Sequence, residues 1–372
     1  MVDRPADEQL RPTEAVVVRS TDAPVTVETI QLRAPGAGEV RVRIEAASLC
    51  HSDLSLATGV LAQPLPAVLG HEAAGTVVEV GPQVTTLAEG DRVLLLWNPP
   101  CRACWFCEHD QPHLCVHASD RARQPYAYDE AGTPLYPGLS TAAFAQQTVL
   151  AASACYLLPA DVPLDLVALL GCAVTTGVGA VRHTAQVRPG ESVAVVGLGG
   201  VGLAAVQGAR IAGAERIIAV DPAQAKLDLA RKLGATDTLA AGPNLPAEVR
   251  GLTDGRGADH VFDCVGLAST IRQSWKATRR GGAVTLVGIG GRTEVVEFSS
   301  IELFSFARRI LPCVNGSLDA DRDLPEYFEQ VRSGELDLAS LVSREIDLTG
   351  VAAGFEDLAG GRVARVLVRP NN

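Results

Sequence analysis

Residues 192–202, with the sequence Ser-Val-Ala-Val-Val-Gly-Leu-Gly-Gly-Val-Gly, carry the clearest indication of the fold of this chain. The apolar run 193–196 predicts a buried β-strand. The glycines that follow, Gly197, Gly199 and Gly202, form a GxGxxG pattern before an alanine-rich segment, which predicts a tight turn that opens a helix. Such a turn is typical of a dinucleotide site, because the start of the helix offers free N–H groups and a positive dipole end to the pyrophosphate.

The next strand supplies an acid in the place where a dinucleotide site needs one. Asp221 follows the apolar run 217–220, nineteen residues after Gly202. A carboxylate there accepts hydrogen bonds from the adenosine ribose and repels a 2′-phosphate. The motif therefore predicts NAD rather than NADP as the cofactor.

The segments on either side of this motif differ in their pattern of apolar residues. Further buried strands are predicted at 260–263 and 283–287, and the alternation of strands with helical segments predicts a parallel sheet covered on both faces. Before it, residues 15–96 form short alternating runs broken by glycine and proline, which predict a mostly antiparallel β domain. The fold class is therefore α/β, with two domains.

Composition excludes several classes of protein. The chain has 372 residues, 47% of them apolar and 20% charged, and a net charge of −11 without clusters of Arg or Lys, so we expect no nucleic-acid partner. Residues 1–13 contain no apolar core of a secretory signal, and no apolar run is long enough to span a membrane. With nine cysteines and no export signal, we expect a cytoplasmic protein whose cysteines are not paired in disulfides.

Four of the cysteines follow one another at metal-binding spacing. Cys101, Cys104, Cys107 and Cys115 give the pattern C-x2-C-x2-C-x7-C. Four thiolates suit a closed tetrahedral zinc site that orders a loop, and an iron–sulfur cluster is the alternative. Because four protein ligands leave no open position, the predicted zinc is structural.

Three further residues are candidates for a second zinc site. Cys50, His71 and Cys172 would supply two thiolates and one imidazole, which leaves a fourth position open as in catalytic zinc sites. Taken one at a time, each of them also fits a buried packing role.

The motifs together resemble the zinc-containing medium-chain alcohol dehydrogenases, from about Thr13 to Arg369. The segment that contains His71 and Glu72, the four-cysteine lobe, the Gly171-Cys172 segment and the GxGxxG turn occur in the order of that family. The resemblance implies a GroES-like β-rich catalytic domain and a Rossmann domain with a doubly wound parallel sheet. The expected bounds are 1–175 with 313–372, including the zinc lobe 101–115, for the first domain, and 176–312 for the second.

The resemblance also implies roles for individual residues. Two zinc ions are expected in each subunit, and the catalytic one is expected on Cys50, His71 and Cys172. Asp53 and Glu72 are expected to contact these ligands and to tune the charge of the metal. The expected cofactor-binding residues are His51, Thr176, Gly197, Gly199, Gly200, Val201, Gly202, Asp221, Lys226 and Arg365.

One position departs from the family pattern. Well-known members have a histidine that passes the alcohol proton to solvent, five residues after the first zinc ligand, and this chain has Ser55 there. Ser52 keeps the first step of the proton relay, so Ser52 is a predicted catalytic residue. The exit of the proton is then expected to use water or His51.

The predicted activity is transfer of a hydride between a fairly apolar primary or secondary alcohol, or its carbonyl product, and NAD. Residues 54–69, which help to line the substrate channel in the family, contain no charged side chain. Relatives that oxidise glutathione adducts of formaldehyde have acids there, and an arginine where this chain has Ser119, although Arg121 and Arg123 lie close by. A thiol-adduct formaldehyde dehydrogenase is the alternative, and a non-catalytic nucleotide-binding protein of the same fold is a more remote one.

The resemblance finally implies a homodimer or homotetramer. The segment Arg309–Val314 is the part of the chain expected to continue the sheet from one subunit into the next. We expect no membrane partner.

Overall fold

The computed structural model describes residues 10–372, so part of the segment used to exclude a secretory signal, residues 1–9, lies outside the described residues. The chain divides into two compact units. Unit 1 comprises Met1–Cys172 and Val342–Asn372, and unit 2 comprises Ala173–Leu341. Element labels run in chain order through both units.

Unit 1 is built on β-strands that are mostly antiparallel. A small closed barrel has the strand order β1-β2-β7-β8-β4, and a larger sheet has the order β10-β6-β5-β3-β18-β17, with β9 paired to β3. The predicted mostly antiparallel β domain is confirmed. The strands are β1 (Arg11–Val18), β2 (Thr26–Leu32), β3 (Glu39–Ser48), β4 (Ala67–Val68), β5 (Ala73–Val80), β6 (Arg92–Leu95), β7 (Ala127–Tyr128), β8 (Pro134–Pro137), β9 (Gln147–Ala151), β10 (Cys155–Leu157), β17 (Val342–Ile346) and β18 (Arg365–Val368).

Short helices complete unit 1 where strands end. They are α1 (His51–Ala57), α2 (Trp105–Glu108), α3 (Leu164–Val167) and α11 (Val351–Ala359). α1 follows β3, whose alternating residues Val40, Val42 and Ile44 are fully buried in the main core of the unit. This core includes Leu49, just before α1, and Ala73, at the start of β5, and so anchors the segments that carry the candidate site residues.

Unit 2 contains a parallel sheet with the strand order β13-β12-β11-β14-β15-β16. Its middle strand β11 (Ser192–Val196) pairs in parallel with β12 (Arg216–Asp221) and β14 (Ala258–Asp263), which confirms the predicted parallel sheet. The remaining strands are β13 (Asp237–Ala240), β15 (Thr278–Leu286) and β16 (Arg309–Pro312).

Helices alternate with these strands, as the sequence predicted. α5 (Gly200–Ile211) begins in the glycine-rich turn, and Gly202 is required there because a Cβ would lie 1.9 Å from the carbonyl oxygen of Gly197. The other helices of unit 2 are α4 (Ala173–Gly179), α6 (Gln224–Leu233), α7 (Leu245–Leu252), α8 (Ala268–Ala277), α9 (Ser300–Phe306) and α10 (Ala320–Arg332).

The domain boundaries differ from the predicted ones, above all at the C-terminal side. The sequence placed the return to the first domain at residue 313, whereas residues 313–341 belong to unit 2. The reason is long-range packing: the hydroxyl of Tyr327 on α10 lies 3.2 Å from Nε2 of His183, and the amide of Asp337 donates to Gln207. At the first boundary the difference is small, Cys172 instead of residue 175.

Among the described residues, no single helix has the length and apolar character needed to cross a membrane. A broken pair, Leu164–Gly171 followed by Ala173–Thr184, meets the same test by length and composition.

Candidate metal centres and nucleotide site

Cys50 is the last residue before α1, and it follows β3 where the chain leaves the core of unit 1. Its side chain is buried, and its Sγ lies 3.8 Å from the hydroxyl of Ser52 in the first turn of the helix. His51 is exposed at the same helix start, whereas Asp53 faces inward and is fully buried.

His71 lies between β4 and β5 and is held by Asp53. Its Nδ1 is 3.0 Å from Oδ1 of Asp53, and both side chains are buried. Because a carboxylate accepts, Nδ1 carries the hydrogen and Nε2 keeps a free lone pair. Nε2 is buried and has no hydrogen-bond partner among residues 10–372, which is costly unless a metal or ligand occupies it.

Cys172 reaches the same place from a distant part of the chain. The ligand atoms of Cys50, His71, Glu72 and Cys172 all lie within 4.8 Å of one another, and all four residues are buried. A tetrahedral zinc with Zn–S bonds of about 2.3 Å keeps its sulfur ligands about 3.8 Å apart. The residues present therefore fit a zinc ion.

The electrostatics of this cluster favour a thiolate. A hydrogen bond with Cys172 and the positive charge of Arg365 lower the pKa of Cys50 well below the usual range of a thiol, against the opposing effect of burial. Since only the thiolate binds metal, Cys50 is prepared as a ligand.

Glu72 and Arg365 form a buried pair behind the ligands. Nη1 of Arg365 lies 3.7 Å from Oε2 of Glu72 and donates to the carbonyl of Leu49 at 2.8 Å. Burial raises the pKa of Glu72 to about 8, although the charge of Arg365 opposes this effect. The described contacts of Arg365 thus lie beside the cysteine and histidine cluster, and its predicted pyrophosphate contact stays a prediction.

The four cysteines of the lobe also converge, as the spacing predicted. The Sγ atom of Cys104 lies 3.6 Å from that of Cys107 and 3.9 Å from that of Cys115, and Cys101 lies 4.0 Å from Cys107. These separations match one tetrahedral ion with four thiolate ligands. In a cluster of two or four irons the cysteines are divided among different irons, so their sulfur atoms do not all lie within the separations of one metal ion.

Backbone N–H groups support the lobe sulfurs. The amides of Cys104 and Cys101 donate to the sulfurs of Cys101 and Cys115, each at 3.2 Å. Hydrogen bonds from the backbone of Cys107 and Val116 lower the pKa of Cys104 to about 6. These amides compensate negative charge, which a set of four thiolates requires.

The glycine-rich turn of unit 2 has the shape of a phosphate cradle. Gly197 has φ of +90°, a conformation that favours glycine. A Cβ built on Gly199 would have no heavy atom within 4 Å, so the space above this residue is open to a ligand. Gly200 and Val201 then begin α5, whose first N–H groups are free to meet phosphate.

Asp221 lies at the end of β12 and ties the cradle to the sheet. One oxygen of its carboxylate accepts from the amide of Leu198 inside the turn at 2.8 Å, and the other accepts from the amide of Ala223 at 2.9 Å. Each oxygen keeps a further lone pair, so the buried carboxylate remains able to accept from a ribose hydroxyl.

The structure groups the remaining predicted residues by unit. Thr176 is buried in α4, and Lys226 is half-buried in the first turn of α6, both in unit 2. His51, Ser52 and Arg365 belong to unit 1.

Two residues near His71 were not among the predicted site residues. The ring of Trp97 lies edge-on to the imidazole, with ring centroids 6.3 Å apart. Thr141 donates to the carbonyl oxygen of Gly70, the residue before His71. No spacing rule identifies either one, because both reach the site through tertiary contacts.

Comparison with known proteins agrees with this geometry. Residues 36–160 match the alcohol dehydrogenase GroES-like domain, and residues 200–333 match the zinc-binding dehydrogenase domain. A protein from Synechocystis named S-(hydroxymethyl)glutathione dehydrogenase is 35% identical over 368 residues, which cover 96% of this chain and 99% of the relative.

Solved structures give the same result. An alcohol dehydrogenase zinc-binding domain protein from Burkholderia ambifaria has a TM-score of 0.91 and 33% identity, with 97% of this chain and 99% of that chain covered. Benzyl alcohol dehydrogenase from Acinetobacter calcoaceticus has a TM-score of 0.89 and 28% identity, with the same coverage. Acetophenone reductase from Geotrichum candidum, in complex with NAD, has a TM-score of 0.80 and 28% identity, and covers 96% of this chain and 97% of that chain.

The predicted fold class, zinc and NAD agree with these matches. The chain therefore belongs to the zinc-containing medium-chain alcohol dehydrogenase family and is an NAD-dependent oxidoreductase.

Proposed function

We propose that Cys50, His71 and Cys172 hold the catalytic zinc and that the enzyme interconverts a free, fairly apolar alcohol and its aldehyde or ketone. The observation that carries this proposal is the buried convergence of the three ligand atoms, with Nε2 of His71 left without a partner among the described residues. When bound, zinc supplies Lewis acidity that lowers the pKa of the alcohol, and NAD supplies the hydride acceptor.

The residues of unit 1 have separate tasks in this reaction. Asp53 holds the imidazole of His71 in one tautomer and orientation, so that Nε2 faces the metal position. Ser52, whose hydroxyl lies beside Cys50, accepts the proton of the alcohol. His51 is exposed at the start of the same helix, and the proposed exit of the proton is through water or through this imidazole.

The four cysteines Cys101, Cys104, Cys107 and Cys115 are proposed as the ligands of a second zinc, which orders the lobe and takes no part in the chemistry. In unit 2, the turn at Gly197, Gly199, Gly200 and Gly202 is proposed to hold the pyrophosphate of NAD, and Asp221 the adenosine ribose. Val201 and Thr176 are assigned to the nicotinamide, Lys226 to the adenosine ribose, and Arg365 and His51 to the pyrophosphate.

The proposed substrate class rests on the wall formed after the first zinc ligand. Leu54, Leu61 and Leu65 are half-buried and pack against the main core of unit 1, in a stretch without charged residues. Apolar surface of this kind contributes about 25 cal/mol for each Å² of substrate that it covers. An ionised glutathione group facing such a wall would lose hydration without gaining a partner.

Arg121 supports the same choice. Its guanidinium lies 3.0 Å from the carboxylate of Glu39, and both side chains are largely buried. Glu39 is also paired with Arg33 at 2.6 Å. Arg121 is thus engaged within unit 1, which leaves the exposed Arg123 as the remaining arginine near Ser119 for a thiol adduct.

The name of the Synechocystis relative makes the thiol adduct the second candidate substrate. We expect kcat/KM with NAD to be higher for benzyl alcohol and medium-chain alcohols than for formaldehyde with glutathione. Arg123→Gln serves as the matched variant, because an adduct that uses this arginine would lose activity while benzyl alcohol would not. A higher kcat/KM for the adduct in the wild type, reduced by Arg123→Gln, would reverse the substrate assignment.

Assembly and location complete the proposal. β16 is the edge strand of the sheet in unit 2, and its Ile310 is 37% exposed, which suits pairing with the same strand of another copy. We therefore assign a homodimer or homotetramer in which Arg309–Val314 continues the sheet.

The nine cysteines form no disulfide, which suits the reducing cytoplasm.

A further inference from the structure

A buried loop of unit 1 has an unusual backbone conformation. Leu139, Ser140 and Ala142 have φ angles of 47°, 69° and 55°, although none of them is glycine. L-residues rarely occupy this left-handed region, and several such residues in one short loop persist only where surrounding contacts hold them. Ser140, Thr141 and Ala142 are buried.

The contacts that hold the loop converge on the carbonyl oxygen of Gly70. The hydroxyl of Thr141 donates to this oxygen at 2.8 Å, and the amide of Ala143 donates to it at 2.8 Å. The two donors fill both lone pairs of the carbonyl. This carbonyl belongs to the peptide group that joins Gly70 to His71. The two hydrogen bonds therefore fix the orientation of the peptide plane that precedes His71.

The peptide group on the other side of Gly70 is fixed as well. The amide of Gly70 donates to Oδ1 of Asp53 at 3.0 Å, and the carbonyl of Leu69 accepts from the amide of Phe144 at 2.8 Å. Gly70 itself has φ of +96°, and a Cβ there would lie 2.3 Å from the amide nitrogen of Phe144. Both peptide groups around Gly70 are therefore clamped between Asp53 and the loop.

Asp53 joins this clamp to the imidazole, because the oxygen that accepts from Gly70 also contacts Nδ1 of His71. Backbone and ring of His71 are thus oriented by one connected set of buried hydrogen bonds, and Thr141 is the side chain at its far end. We infer that Thr141 is a positioning residue that aims Nε2 of His71 at the metal, an inference that rests on the proposed zinc site.

The test compares Thr141→Val, which removes the hydroxyl at similar volume, with Thr141→Ser, which keeps it. Thr278→Val is the matched control: Thr278 is equally buried and its hydroxyl also donates to a backbone carbonyl at 2.8 Å, that of Ser274 in unit 2. The readouts are the visible spectrum of the cobalt(II)-substituted protein and the rate at which EDTA removes the metal. His71→Ala supplies the signal of the lobe alone.

We expect Thr141→Val to lose metal from the buried site about tenfold faster and to show altered cobalt bands, as is usual when a group supporting a ligand is removed. Thr141→Ser should stay close to the wild type, and Thr278→Val should match it. If Thr141→Val does not fold, Thr141→Ala and Thr278→Ala form the same comparison. Equal rates and spectra for the Thr141 and Thr278 variants would overturn the inference. A wild-type spectrum that His71→Ala leaves unchanged would instead overturn the proposed zinc site.

Discussion

The four-cysteine lobe and the cluster around Cys50 both gather thiol groups, but they are built in opposite ways. In the lobe, the four candidate ligands lie within residues 101–115, and its helix α2 has no buried residue. In the cluster, residues from Cys50 to Cys172 meet, and every candidate ligand is buried in unit 1. A metal in the lobe would therefore supply stability that a hydrophobic core does not provide there. In the cluster, the surrounding core already holds the ligands in place, so the metal is available for chemistry.

The source of the thiolate charge differs in the same way. Backbone amides lower the pKa of Cys104 in the lobe, while neighbouring side chains, Cys172 and Arg365 first among those that favour the thiolate, lower the pKa of Cys50. The turn in the lobe supplies its own backbone amides, whereas Arg365 of β18 approaches Cys50 only through tertiary packing. Substitutions in the two regions should therefore affect different properties.

The largest expected effect is the loss of activity in His71→Ala. Turnover should fall about a thousandfold or more, because the Lewis acid that stabilises the transition state is lost or misplaced. NADH binding, followed by nucleotide fluorescence, should stay close to the wild type, because the glycine-rich turn belongs to unit 2. Turnover near the wild-type value would show that the zinc ligands were wrongly assigned.

Cys104→Ser should instead reduce the stability and the zinc content of the protein. We expect an apparent Tm lower by roughly 5 °C and faster proteolysis between residues 101 and 115, because metal binding supplies the folding energy of the lobe. Zinc content should fall by about one ion per chain, measured by atomic absorption. Cys155→Ser, outside both groups of ligands, is the control. Unchanged melting together with unchanged zinc content would contradict a structural site.

A smaller effect is expected where the lobe continues into the core, at the pair of Glu39 and Arg121. Burial tends to raise the pKa of Glu39, but hydrogen bonds from Arg33 and the charges of Arg121 and Arg33 outweigh burial, so the pKa is lowered. The stabilisation is therefore fully present above about pH 4.5, the pKa range of an unfolded glutamate, and is lost as the pH falls through the lowered value.

Glu39→Gln should accordingly reduce the free energy of unfolding by about 1–3 kcal/mol at pH 7, and by less in acid. Urea unfolding at several pH values measures this, with Asp228→Asn, an exposed carboxylate of unit 2, as the control. The same loss at pH 7 and at pH 3 would exclude the ion pair as its cause.

The nucleotide-binding turn and the four-cysteine lobe were predictable from the spacing of residues that lie close together in the sequence. The strand before Gly197, the spacing of the glycines and the acid at Asp221 describe one continuous supersecondary unit, and the structure has the predicted strand and helix there. Likewise Cys101–Cys115 closes on itself within one loop. In both cases the interacting residues are near neighbours along the chain, so spacing carries the geometry.

The return of the chain to unit 1 at Val342 rather than at residue 313 was not predictable in this way, and neither were the contacts of Trp97 and Thr141. From the residues alone, Cys50, His71 and Cys172 were as consistent with core packing as with metal binding, and only the resemblance to a family joined them. The α/β class, the dinucleotide-binding turn and the four-cysteine loop could be predicted from sequence alone, because each depends on contacts between residues close in the chain. The convergence of buried side chains with Nε2 of His71 could be seen only in the folded chain, because it depends on how β3, β5 and the segment before α4 pack against one another.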